Sequence, residues 1–145
     1  MEGTGTSVMT ALQLGAFLAE QFPQMNSQEH RFLVEAVSGH TVRMRMVYNE
    51  RMLRPGGTIS GPAMFALADI AMYAAVLAMV GPCPLAVTIN LSINFLRKPR
   101  PGDMIAEAKI LKLGKRLAVG EIGLRSEGDT ELAAHATSTY SIPEN

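Results

Sequence analysis

The chain has 145 residues, 48 % of them apolar and 18 % charged, with thirteen basic residues against thirteen acidic ones. That is enough apolar chain for one domain with its own core, and it excludes a disordered segment. The zero net charge excludes an overall field that would draw in nucleic acid or an anionic membrane surface.

The N-terminal stretch MEGTGTSVMT lacks the basic region and apolar run of a signal peptide. A helix is expected within residues 1–25, because Leu14, Phe17, Leu18 and Phe22 recur at helical spacing over 8–22, and Pro23 closes it. Two short strands follow, Phe32 to Val37 and His40 to Val47, around the turn Ser38-Gly39. In the second, Val42, Met44 and Met46 alternate with Arg43 and Arg45, the pattern of a sheet with one wet face. Residues 54–57, RPGG, form a loop, after which Ser60 caps a helix and Pro62 sits in its first turn.

From Pro62 to Val80 there are nineteen residues with one charge, Asp69, before Gly81-Pro82 ends the helix. The length suits a membrane span of about 30 Å. Seven of the nineteen are alanines, however, and a carboxylate at mid-span costs about 2.5–3.5 kcal/mol. A helix buried on most of its circumference in a soluble domain fits better. Leu85 to Phe95 then holds period two for eleven residues, with Thr88, Asn90, Ser92 and Asn94 on the polar side. Strands at Met104–Leu113, Leu117–Arg125 and Leu132–Ile142 follow, joined by turns at Pro101-Gly102, 114–116 and 127–129. An antiparallel sheet can bury both its own face and an all-apolar helix by wrapping around it, which gives an α+β fold.

Asp69 then lies in the interior or at an interface. Such an acid either accepts structural hydrogen bonds or is poised beside a substrate. On the helix it shares a face with Phe65, Ala66, Met72 and Tyr73, a mostly apolar wall suited to an acyl chain or ring. The N–H groups and positive dipole end at the helix start suit an oxyanion, and Gly61 has no side chain to block it. Asp69 can deprotonate water or attack directly. The basic residues Arg97, Lys98, Arg100, Lys115 and Arg116 flank two turns, either as solvated charge or as phosphate ligands. His30, His40 and His135 carry no metal-ligand spacing, so no metal is expected, and the lone Cys83 fits a reducing cytoplasm.

The pattern Ser60-Gly61-Pro62, Leu67-x-Asp69-x-Ala71, Val87-Thr88-x-Asn90-Leu91-x-Ile93-Asn94-Phe95-Leu96 and Pro101-Gly102 resembles the hotdog-fold acyl-CoA thioesterases. It is most similar to the branch that includes the phenylacetate-pathway enzymes, over residues 50–142. The resemblance implies a hotdog domain that hydrolyses an acyl-CoA thioester as a dimer or dimer of dimers. It needs no cofactor beyond the coenzyme A of the substrate. It also implies Asp69 as nucleophile or general base, the Gly61 N–H as carbonyl donor, and Thr88 orienting the attacking water. Substrate contacts would come from Ser60, Arg54, Phe65, Met72, Tyr73 and Asn90, and coenzyme A phosphates would meet the five basic residues. No nucleic-acid or membrane partner is implied.

Two positions depart from the branch, which usually carries His-Gly-Gly where this chain has Ser60-Gly61-Pro62, and Asn where it has Arg54. The changes remove a substrate-positioning histidine and a contact to water or carbonyl. They favour an alternative, a hotdog protein that binds acyl-CoA without cleaving it. A subunit with no ligand is a third possibility.

Overall fold

A computed structural model describes residues 7–23 and 30–144. Helix α1 (Ala11–Gln21) opens on a capping box, with the Thr10 hydroxyl accepting from the Gln13 N–H while the Gln13 side chain accepts from the Thr10 N–H. Leu14 and Leu18 of its apolar stripe are fully buried, and the helix packs on β1 (Phe32–Ser38) and α2 (Gly61–Val80). The rest of the 1–25 span, residues 1–6 and 24–25, lies outside the described residues.

Strand β1 turns at Gly39, whose φ of 58° lies in the left-handed region, into β2 (Thr41–Met46). The alternation of β2 holds: Val42, Met44 and Met46 are buried, while Arg43 and Arg45 point outward onto Glu35. Arg45 also meets Asp103 and Glu127. Its guanidinium is therefore held above its already high pKa, first by the hydrogen bond to Glu35.

The RPGG segment is more ordered than a plain loop. A 3₁₀ turn (Glu50–Met52) leads into a miniature hairpin, β3 (Leu53–Arg54) and β4 (Thr58–Ile59), whose turn uses Gly56 and Gly57 at positive φ. This hairpin delivers Ser60 to the start of α2, where its Oγ accepts from the Ala63 N–H.

Strands β5 (Val87–Phe95), β6 (Met104–Leu113), β7 (Leu117–Ser126) and β8 (Ala134–Ser141) complete an antiparallel six-stranded sheet in the order β1-β2-β6-β7-β8-β5. The sheet wraps α2, which packs on β2, β5, β6, β7 and β8 and buries fourteen of its twenty residues. This is the hotdog fold. The helix is long and apolar enough to cross a membrane, but 78 % of its most apolar window is buried inside the domain. Its alanines let the strands approach closely. At Gly120 of β7 an added Cβ would lie 2.7 Å from Met72 Sδ and 2.8 Å from the Lys109 carbonyl oxygen. Gly120→Ala is therefore expected to lower unfolding stability by about 1–3 kcal/mol through overpacking, measurable as an earlier denaturant midpoint.

One register feature departs from strict alternation. A bulge between Thr88 and Asn90 leaves Ile89 unpaired, so Thr88 pairs with Tyr140 while Asn90 pairs with Thr139. Directly paired residues point to the same side of a sheet. Tyr140, Ser138 and Ala136 are buried on the helix side, so their partners Thr88, Leu91 and Ile93 face the helix too. Eleven-residue alternation placed Thr88 on the polar side with Asn90. The bulge turns it inward.

Candidate active site

Asp69 sits two turns into α2, half-buried beneath the β5–β8 ladder. The inward turn of Thr88 brings its hydroxyl to 2.7 Å from Asp69 Oδ1. Tyr140 donates to the same oxygen at 2.9 Å and lies 3.2 Å from the Asp69 carbonyl oxygen. Burial first, and the neighbouring Asp69 charge second, hold the Tyr140 hydroxyl well above the ordinary tyrosine range. It therefore keeps its proton and acts as a donor.

Two adjoining hollows open onto Asp69. One, of about 190 Å³, is walled by Phe22, His30, Phe32, Ala66, Ile70 and the rings of Tyr73 and Tyr140. The other, of about 460 Å³, runs past Pro84, Val87 and Thr88. Tyr73 packs edge-on to Phe22 and stacks on Tyr140. Its hydroxyl donates to the Pro84 carbonyl at 3.2 Å, and burial raises its pKa. A carboxylate with two hydroxyl donors at the mouth of an aromatic hollow can act on an apolar acyl group.

Gly61 lies at the other end. It lines a separate hollow of about 460 Å³ with Arg54, Thr58, Phe95, Arg97 and Lys98. Pro62 has no N–H, and the Ala63 N–H is taken by Ser60 Oγ. Among the described residues this leaves Gly61 as the free donor of the first turn. The Gly61 hollow and the Asp69 hollows share no lining residue.

The other expected site residues separate accordingly. Tyr73 and Ala66 line the smaller Asp69 hollow. Met72 does not: it is fully buried against Gly120. Helical spacing put it beside Asp69, but that flank of α2 is covered by the sheet. Phe65 is 42 % exposed and lines none of these hollows. Asn90 is exposed on the outer side beyond the bulge, its carbonyl accepting from Ser138. Ser60 is occupied as the helix cap, while Arg54 lines the Gly61 hollow.

Of the basic residues, Arg97 and Lys98 line the Gly61 hollow, with Arg97 tied to the Leu132 carbonyl and Glu131. Arg100 turns away to Asp129 and the Glu127 carbonyl, an internal clamp rather than a hollow residue. Lys115 and Arg116 precede Leu117, which pairs with Ser141, itself paired with Val87. They stand at the Asp69 end of the sheet, roughly eight residues of strand, about 27 Å, from Phe95 at the far end of β5, beyond which Arg97 lies. The sequence pattern did not assign Tyr140, Phe22, Phe32 or His30 to the surroundings of Asp69. Tyr140 carried one signal, sharing the even, inward phase of Ala134, Ala136 and Ser138. The pair His135–Glu121 lies on the outer face of the sheet, away from Asp69.

A hotdog domain whose central helix carries a hydroxyl-held carboxylate defines the class. The comparisons place it more closely. Residues 56–133 match the family model described as the thioesterase superfamily, more than half of the chain. The chain belongs to that superfamily.

Among solved structures, a candidate thioesterase of Silicibacter sp. TM1040 is 48 % identical, with a TM-score of 0.87 over 97 % of this chain and 96 % of that one. The Escherichia coli PaaI protein, from the phenylacetic acid degradation operon, is 20 % identical with a TM-score of 0.80 over 93 % and 94 %, a likeness of fold. A candidate esterase of Saccharolobus solfataricus is 32 % identical over 69 % of this chain and 65 % of its own length.

Proposed function

We propose that this protein is a cytoplasmic acyl-CoA thioesterase working as a homodimer with sites shared between chains. The observation that carries the reading is the Asp69 carboxylate, fastened by Thr88 and Tyr140 at the aromatic hollow of a superfamily member. Asp69 takes a proton from water, whose oxygen attacks the thioester carbonyl carbon. The charge that builds on the carbonyl oxygen is met by a Gly61 N–H and the positive end of α2. The C–S bond then breaks, and the leaving thiolate takes the proton from Asp69, giving free acid and free CoA. Direct attack by Asp69 through an anhydride uses the same groups.

Dimerisation is supported by the free edge of β5. Val87, Ile89 and Phe95 are each more than half exposed there, and a long apolar edge is a template for pairing. Antiparallel pairing of β5 with its copy would set the Val87 end of one strand beside the Phe95 end of the other. Asp69 then meets the second chain's Gly61 hollow, and Lys115 and Arg116 meet the second chain's Arg97 and Lys98.

Assay of an acyl-CoA panel for free thiol tests the reaction. The replaced histidine and asparagine motivate one other reading, a binder without turnover. It predicts acyl-CoA thermal stabilisation with no thiol release. For the cationic rim, the dissociation constant of CoA is expected to rise severalfold between low and high salt. Arg54 and Lys98 carry no ion pair among the described residues to compete with phosphate. Titration at two ionic strengths measures this, and an unchanged constant removes the rim from CoA binding.

A further inference from the structure

We infer that Tyr140 is a positioning residue that fixes which oxygen of Asp69 is reactive: with Thr88 it occupies Oδ1 and leaves Oδ2 without a hydrogen bond. This rests on the catalytic reading of Asp69 given above. Both hydroxyls donate to Oδ1, at 2.7 Å from Thr88 and 2.9 Å from Tyr140. Among the described residues, no hydrogen bond reaches Oδ2. A carboxylate with one oxygen doubly fastened cannot rotate about its Cβ–Cγ bond without breaking both hydrogen bonds, each strengthened by the charged acceptor. The oxygen left bare is the one able to take the water proton.

The arrangement also revises the part Thr88 plays. Its hydroxyl proton is committed to the carboxylate, so toward water it offers lone pairs only. Tyr140 reaches Asp69 from β8 and Thr88 from β5, and the two strands are locked in register at this point by the pair Thr88–Tyr140. The bulge at Ile89 turns Thr88 to that side, so it belongs to the machinery. Among the described residues, the titratable groups lining the hollows around Asp69 are Tyr140 from β8, Tyr73 from α2 and His30 from the segment before β1. Tyr73 is directed to Pro84 instead.

The test is Tyr140→Phe, which keeps the ring stacked on Tyr73 and removes only the hydroxyl. Turnover of the best acyl-CoA is expected to fall about tenfold with KM within about twofold. A loss confined to kcat, with KM and the melting temperature held, marks a displaced base, whereas a merely structural lesion would move KM or melting as well. A crystal structure of Tyr140→Phe should show the Asp69 carboxylate rotated or in two orientations. Parent-level kcat in Tyr140→Phe with Asp69→Asn inactive overturns the inference and leaves the thioesterase reading standing. If the parent releases no thiol from any acyl-CoA, that reading fails. The Tyr140→Phe crystal structure then decides alone, and an unmoved carboxylate overturns the inference.

Discussion

Asp69→Asn is expected to leave the fold intact and to lower thioester turnover at least ~100-fold, the range for loss of a general base. Asparagine matches aspartate in shape and can still present an oxygen to Thr88 and Tyr140, which hold Oδ1 at 2.7 and 2.9 Å. The side chain stays tethered, and α2 remains packed through the alanines and Leu67 on either side. What is lost is charge and basicity. An amide oxygen neither takes a proton from water near neutral pH nor forms an anhydride, so both routes through Asp69 close together. Thiol release under saturating acyl-CoA, with thermal melting of both proteins, separates chemistry from stability. Parent-level turnover by the variant would end the catalytic assignment of Asp69, whatever the family membership.

How much of this was legible without coordinates depends on the range of the forces involved. The buried helix and the strands β2, β6 and β7 are written in local periodicity, and their bounds fall within a residue or two of expectation. Asp69 stood out because a charge among alanines has few uses. The inward turn of Thr88 was not legible. It depends on one unpaired residue, Ile89, whose bulge exists only because β8 runs alongside. Strict alternation is a property of one strand, while a bulge is a property of two. Tyr140 escaped for the same reason: its hydroxyl matters only where β8 crosses Asp69, seventy-one residues away in the chain. Met72 was misplaced by treating the helix face as free, when the sheet covers that flank. The Arg100 clamp on Asp129 likewise depends on a turn the sequence marks but does not aim. The departures Ser60 and Arg54 were visible at once. Their structural meaning, a cap and a cationic rim, needed the hairpin between them.

Recovery of activity from two dead variants is the other large effect expected. Gly61 and Asp69 are eight residues apart on α2, about 12 Å along its axis at 1.5 Å per residue. A reacting carbon must lie within about 3–3.5 Å of its attacker, with the oxyanion donor equally close to its oxygen. One helix cannot put both groups on one thioester, and the two hollows indeed share no lining residue. Two helices antiparallel across a twofold axis can, each giving Gly61 to one site and Asp69 to the other. Asp69→Ala and Gly61→Pro are each expected to be inactive, the second because it removes the free N–H donor of the first turn. A carbon added at Gly61 meets the tip of the Phe95 ring at 3.3 Å. That ring is 51 % exposed and can shift, so the variant is expected to fold. In the mixed dimer one site combines both lesions and the other combines neither. Equal co-refolding yields half mixed dimers with one working site in two, hence roughly a quarter of parent activity. A site held within one chain would instead carry one lesion in every copy and recover nothing. With melting curves confirming that both variants fold, and tagged pull-down confirming that they exchange subunits, an inactive mixture would refute the shared site.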